Sequence, residues 1–208
     1  RYFWFLMKIL KIAYVEPSHT GYEEIRRPKS CFYEGYWQSY RYFDKHKEEI
    51  KNSFRLLDID QYEIFGHKKQ ILGAENSVAI GMRFYEEISS ASKYHLVKSD
   101  IYYGKAIGLL ETRVSNPKYF IFSTDINRAE KIMEGFGIKN VVYINPIKAK
   151  NNVKLDLYLM SLCDHFIISN GTFYWWAAYL GEHKKSLIIA PNNGFTNRDV
   201  LPPNWVKL

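Results

Sequence analysis

A doubly wound α/β domain is the fold class that this chain of 208 residues predicts, and three observations carry it. Apolar runs without polar alternation, SVAIGM (77–82), KYFIFS (118–123), VVYI (141–144) and SLIIA (186–190), read as strands buried on both faces of a parallel sheet. Segments with helical periodicity separate them, which is the spacing of right-handed βαβ crossovers. The stretch LDLYLMSLCDHFIISNGTFYWWAAYL (155–180) then joins a helix, a short strand, a polar turn and a second helix. Its turn, Ser169-Asn170-Gly171-Thr172, puts small residues and backbone N–H groups where a strand ends and a helix begins. Open α/β sheets receive phosphate at such a place, because unsatisfied N–H groups and the helix dipole both favour an anion.

Taken in order, RYFWFLMKILKIAYV (1–15) predicts an amphipathic helix, or a helix running into a strand. Pro17 to Pro28 reads as loop. CFYEGYWQSYRYF (31–43) starts strand-like and leads into a charged helix from Asp44 to Phe54, with Asp44 as its N-cap. Residues 58–76 are polar and irregular, so the domain boundary is placed there, dividing residues 1–70 from 71–208. Strand 77–82 delivers Arg83 at its carboxyl end. Ser99 or Asp100 caps the helix DIYYGKAIGLLETRV, whose inner face carries Tyr103, Ile107 and Leu110. Strand 118–123 ends in Thr124-Asp125, and a helix from Asn127 to Phe136 closes on Gly137. After strand 141–144 comes a loop, 145–153, then the 155–180 stretch and a last strand stopped by Pro191.

Composition narrows the function. Hydrophobic residues make up 47% of the chain, enough for a buried core, and the net charge is +7. That charge suits anionic ligands or a membrane surface, but no dense Lys/Arg stripe appears, so no nucleic-acid partner is expected. The amino-terminal apolar run, broken by Lys8 and Lys11, is too short to span a bilayer, leaving peripheral membrane contact as the expectation. Cys31 and Cys163 lie far apart and read as reduced thiols of a cytoplasmic protein. The chain begins without methionine, which suggests a segment upstream.

Three strand ends carry candidate chemistry, Arg83, Ser123-Thr124-Asp125 and Ser169-Asn170-Gly171-Thr172, and Asp156 joins them from a helix. Arg83 can fork two hydrogen bonds onto a diphosphate, or pair with Glu86 or Glu87 at the surface. Asp125 can accept from a ribose hydroxyl or cap the helix that follows. Asp156 reads either as an acceptor facing a base or as a carboxylate favoured near a helix N-terminus. His165 reads as a satisfied histidine, and Trp175 and Trp176 as packing. Asp58-Ile-Asp60 has the letters of a manganese-binding Asp-x-Asp but lies in the irregular region, so no metal site is expected. Walker-type and G-x-G-x-x-G motifs are absent from the sequence.

The run DLYLMSLCDHFIISNGTFYWWAAYL followed by LIIAP resembles the α-1,2-fucosyltransferase family, whose signature reads D-x-x-LMS-x-C-x-H-x-I-x-x-NSTFSWW. EGYWQSYRYF, SDIYYGKAIGLL, YFIFSTD and LPPNWVKL resemble further segments of the same family. The resemblance implies a GT-B-like enzyme: a Rossmann-like GDP-sugar-binding domain, preceded here by the remnant of a second, acceptor-side α/β domain. It implies GDP-fucose as donor, a glycan or lipid-linked oligosaccharide as acceptor, and inverting, metal-independent transfer. By resemblance, Arg83 holds the donor diphosphate, Asp125 matches an acid at a strand end, and Asp156 reads guanine. Asn170, Gly171, Thr172 and Phe173 match the phosphate-side turn, with Gly171 in place of a serine.

The departures cluster in one motif. Where the family has H-x-R-R-x-D, this chain has Gly81-Met82-Arg83-Phe84-Tyr85-Glu86. The histidine and second arginine are replaced, Thr124 stands in place of an acid, and the family's opening glycine-rich segment has no counterpart. Glu86 is the carboxylate assigned here as base for the acceptor hydroxyl. Two rival readings follow: a degenerate relative that binds nucleotide or glycan without catalysis, and a transferase for another nucleotide sugar.

Overall fold

The computed structural model describes residues 6–7, 9–10, 12–16, 18–25, 32–54, 64–84, 99–144, 152–193 and 197–208. The chain forms two compact units, residues 1–49 with 195–203 and residues 50–194 with 204–208.

The first unit holds a parallel pair, β1 (Ala13–Val15) and β2 (Phe32–Glu34), in register Ala13 with Phe32. Glu16, buried at the end of β1, fixes the turn after β2. Its Oε2 accepts from the backbone N–H groups of Tyr36 and Trp37 at 2.8 and 3.1 Å, and lies 3.1 Å from His19 Nδ1. Trp37 is thereby held at φ 49°, its ring stacked on Tyr14. The Asp199 carboxylate accepts from Tyr22 N–H at 2.8 Å and ties residues 197–203 into this unit. The helix expected from Asp44 is two 3-10 turns, Tyr40–Tyr42 and Asp44–His46, followed by α1 (Lys47–Ser53). Ser39 is the residue that caps, its Oγ accepting from Arg41 N–H, so it takes the position expected of Asp44.

In the second unit α2 (Phe65–Leu72) occupies part of the region expected to be irregular. Its two buried apolar residues, Ile64 and Ile71, are too few to show as periodicity, and Phe65 and Leu72 are exposed. Then come β3 (Asn76–Met82), α3 (Ser99–Glu111), β4 (Pro117–Ser123), α4 (Ile126–Gly135) and β5 (Val141–Ile144). They are followed by α5 (Asn152–Ser161), β6 (His165–Ile167), α6 (Thr172–Gly181), β7 (Ile188–Ala190) and β8 (Val206–Lys207). The short β8 was not foreseen, and β7 begins two residues later than expected because Ser186 closes a turn, its Oγ accepting from His183 N–H.

All pairings are parallel and the sheet order is β5-β4-β3-β6-β7-β8. Counting only these strands in chain order, the order is 3-2-1-4-5-6, that of a dinucleotide-binding Rossmann sheet, with the reversal between β3 and β6. Helices cover both faces. On one, Val78, Ile80 and Met82 pack with Tyr103, Ala106, Ile107 and Leu110 of α3 and Ala129 and Met133 of α4. On the other, α6 lies so close to β3 that a Cβ at Gly81 would run into the Tyr174 ring. Two buried tyrosines of α3 brace the carboxyl edge: Tyr103 donates to Gly81 O at 2.9 Å, and Tyr102 to Ile168 O at 2.7 Å. At the opposite edge Asp164 accepts from the backbone N–H and the hydroxyl of Ser77, at 3.0 and 2.6 Å, joining the starts of β3 and β6.

Several packing expectations hold. His165 is buried and its Nδ1 accepts from Leu187 N–H at 3.0 Å; burial lowers its pKa, so it sits neutral in the core. Trp175 is buried against Tyr179 and Trp205, and Trp176 stacks on Phe54. Cys163 is a buried free thiol; Cys31 lies outside the described residues. Among the described residues no helix is long and apolar enough to cross a membrane.

Candidate functional site

The parallel sheet directs every strand's carboxyl end to one edge, and the reversal between β3 and β6 opens a crevice there, since the crossovers on either side depart in opposite directions. A cavity of about 340 Å³ lies at this edge, lined by Arg83, Phe122, Ser123, Thr124, Val153, Asp156, Phe173 and Tyr174. Its residues come from the ends of β3 and β4 and from helices α5 and α6.

Arg83 is the first residue past β3, exposed at the cavity wall. Tyr174 secures the wall from α6, its hydroxyl donating to Met82 O at 3.1 Å while its ring lies over Gly81. Only a glycine at position 81 admits that ring, so the motif residue two positions before Arg83 is small for a packing reason.

Asp156 stands five residues into α5, in its second turn, and half-buried in the cavity. Burial raises its pKa from the ordinary 3.8 to about 6. The dipole acts on the first turn, and Asp156 stands one turn further in, so position does not favour it as a helix-terminus carboxylate. Apolar neighbours Phe122, Val153 and Phe173 share its cavity. A carboxylate so placed is a strong acceptor partly withdrawn from solvent, suited to a ligand's N–H groups.

Asp125 takes the capping role: its Oδ1 accepts from Arg128 N–H at 3.0 Å at the start of α4. Ser123 Oγ in turn accepts from Asp125 N–H at 3.1 Å, fixing the corner beside the cavity. The turn after β6 is built as follows. Ser169 N–H donates to Gly81 O at 3.1 Å, tying the strand ends together across the reversal. Ser169 and Asn170 are buried, at 2% and 4% exposed. Gly171 caps α6 at φ 150°, ψ 144°, a conformation reserved for glycine, so the cap residue itself offers no side chain to the helix's first N–H groups. Thr172 is exposed on the first turn and Phe173 lines the cavity.

The cavity thus brings together Arg83, Asp156 and Phe173 of the residues singled out from sequence, while Asp125, Asn170, Gly171 and Thr172 frame it without lining it. Glu86 and the Asp58-Asp60 pair lie outside the described residues. Among the described residues no group of three or more His, Cys, Asp or Glu converges as a metal site would require. Sequence reasoning missed Tyr174, Phe122 and Val153. The pairing of Gly81 with an aromatic at 174 could be found only once β3 and α6 were known to pack.

One departure from the family motif acquires a structural meaning. Phe84 is buried, at 4% exposed, in the core formed by α3 and α4, and the Arg128 guanidinium lies 4.2 Å from its ring centroid. Position 84 thus carries an aromatic face with a cation over it.

The family profile described as Glycosyl transferase family 11 matches residues 3–208. Among curated proteins, an alpha-1,2-colitosyltransferase of Escherichia coli is 30% identical over 187 residues, covering 84% of this chain and 61% of its own length. The galactoside 2-alpha-L-fucosyltransferase Sec1 of Mus musculus is 26% identical over 161 residues, 70% of this chain and 41% of that protein. Among solved structures, the C-terminal domain of the group 1 glycosyl transferase LpcC from Francisella tularensis aligns at 12% identity and a TM-score of 0.43, over 76% of this chain and 78% of that one. The chain spans about three-fifths or less of the length of the curated relatives it matches.

Proposed function

The chain belongs to glycosyl transferase family 11, and from that premise we propose that it carries the donor side of a sugar transferase using GDP-fucose. The acceptor in this reading is a galactoside hydroxyl of a glycan or lipid-linked oligosaccharide, and the protein completes a GT-B-like pair of domains. The observation that carries the reading is the cavity at the β3/β6 reversal, where Arg83, Asp156 and Phe173 of the first turn of α6 face one ligand-sized space. Relatives named for colitosyl and fucosyl transfer support the sugar class.

In this reading the guanine N–H groups meet the Asp156 carboxylate, while Phe122 and Phe173 exclude water from the base. The diphosphate lies against Arg83 and the first N–H groups of α6. Charge develops there as the sugar–phosphate bond breaks, so these donors stabilise the departing GDP. Inversion follows from direct attack of the acceptor oxygen on the face opposite the diphosphate, with a carboxylate, assigned to Glu86, taking the hydroxyl proton. In this scheme Arg83 and the α6 N–H groups meet the phosphate charge in the place that a divalent metal would take.

The test is product formation from GDP-fucose and a galactoside, followed by mass spectrometry with and without EDTA. A product one deoxyhexose heavier that survives chelation supports the proposal. GDP-fucose binding without product, for any acceptor or added metal, favours the non-catalytic relative; turnover of a different nucleotide sugar alone favours another donor.

A further inference from the structure

The charge of the cavity is incomplete for the ligand just proposed. Its described lining carries one cation, Arg83, and one carboxylate, Asp156, which sum to zero at neutral pH. A nucleoside diphosphate brings at least two negative charges, and the α6 terminus offsets only about half of one. A second guanidinium stands at the same edge of the sheet. Arg128, in the first turn of α4, lies over Phe84, the residue next to Arg83, at 4.2 Å from the ring centroid. Two features hold it there. Its own backbone N–H is fixed by Asp125, and the Phe84 ring beneath it is locked in the core.

We propose that Arg128 is a donor-positioning residue: carried on the Phe84 ring beside Arg83, it supplies a second positive charge to the diphosphate. This rests on the nucleotide-binding reading above and deepens it. An arginine at 84 would have to leave the apolar core that Phe84 fills with Tyr102, Tyr103 and Met133. Planar guanidinium stacking explains why the partner on α4 is arginine rather than lysine.

The test is calorimetric titration of the intact chain with GDP and with GMP, for the unmodified protein, Arg128→Met and Arg128→Lys. Arg128→Met keeps an apolar stem over Phe84 and removes the charge. The expected result is at least a tenfold loss of GDP affinity with at most a threefold loss for GMP, because the charge acts on the outer phosphate. Arg128→Lys should recover part of the GDP affinity. GDP affinity unchanged in Arg128→Met, while the unmodified protein binds GDP, overturns the assignment. So does an equal loss for GDP and GMP, which a merely structural role would produce. No GDP binding by the unmodified protein would fail the nucleotide reading itself, and Arg128's role with it.

Discussion

Asp156 is a residue that the fold tolerates at a cost, and the cost can be measured. Its carboxyl is half-buried in the cavity, with its pKa raised from 3.8 to about 6 by loss of solvent. The folded protein therefore holds that proton more tightly than the unfolded chain. This favours folding fully below pH 3.8, and the advantage is lost as pH rises through about 6. At full strength the rise is equivalent to about 3 kcal/mol. The cavity is open to solvent, which screens part of it and leaves about 1–2 kcal/mol of destabilisation at pH 8. Asp156→Asn keeps the shape and removes the charge. The variant should exceed the parent in urea-derived stability by about 1–2 kcal/mol at pH 8, and by roughly half of that at pH 5. GDP affinity should fall at least tenfold in the same variant, since an amide cannot accept from two N–H donors as a carboxylate does. Equal stability of the two proteins across pH 5 to 8, or a less stable variant at pH 8, would refute the burial argument.

Other consequences follow from the same geometry. GDP affinity of the unmodified protein should decline by about tenfold per pH unit below pH 6, where Asp156 takes up its proton; a flat profile between pH 5 and 7 would remove Asp156 from the site. Asp125→Ala deletes the cap of α4 and should cost about 1 kcal/mol in urea unfolding, whereas Asp125→Asn retains the cap and should bind GDP like the parent. A tenfold affinity loss in Asp125→Asn would instead restore its reading as a ribose acceptor. Gly81→Ala pushes a methyl into the Tyr174 ring and should destabilise by about 1–3 kcal/mol; an unchanged unfolding midpoint would contradict the packing of α6 on β3. Glu182→Ala removes the acceptor that Asn204 and Trp205 share, at 2.5 and 3.2 Å, and should cost about 1.5–3 kcal/mol and free residues 204–208 to hydrogen exchange.

The parts of this fold that could be read from sequence are those governed by neighbours along the chain. β3 and β4 declare themselves as uninterrupted apolar runs because both of their faces are covered, and α3 shows Tyr103, Ile107 and Leu110 on one stripe because they meet one sheet. α2 escaped because its burial rests on Ile64 and Ile71 alone, and β8 because two residues carry no period. At the site, Arg83 and Phe173 were legible as strand-end and turn residues. The apolar wall of Phe122, Val153 and Tyr174 was not, since Phe122 and Tyr174 sit in runs that read as ordinary core and Val153 in a stretch that reads as loop. Asp125 shows the limit from the other side: its two readings use the same residue type at the same position, and only the bond to Arg128 N–H tells that it caps. Glu16 is a further case, a buried acid that orders the Tyr36-Trp37 turn through pairings separated by about twenty positions in the chain. Phe84 looked like a lost charge, and becomes intelligible only with Arg128 above it.

The measurement that bears most directly on the donor site is a calorimetric titration of GDP, in EDTA, into the unmodified protein and Arg83→Ala. Binding by the first, and affinity weaker by tenfold or more in the second, is the expected result, matching loss of charge-assisted contacts worth about 1.5–3 kcal/mol. Equal affinity in the two proteins, or binding by neither, would contradict the placement of a nucleoside diphosphate at the β3/β6 crevice.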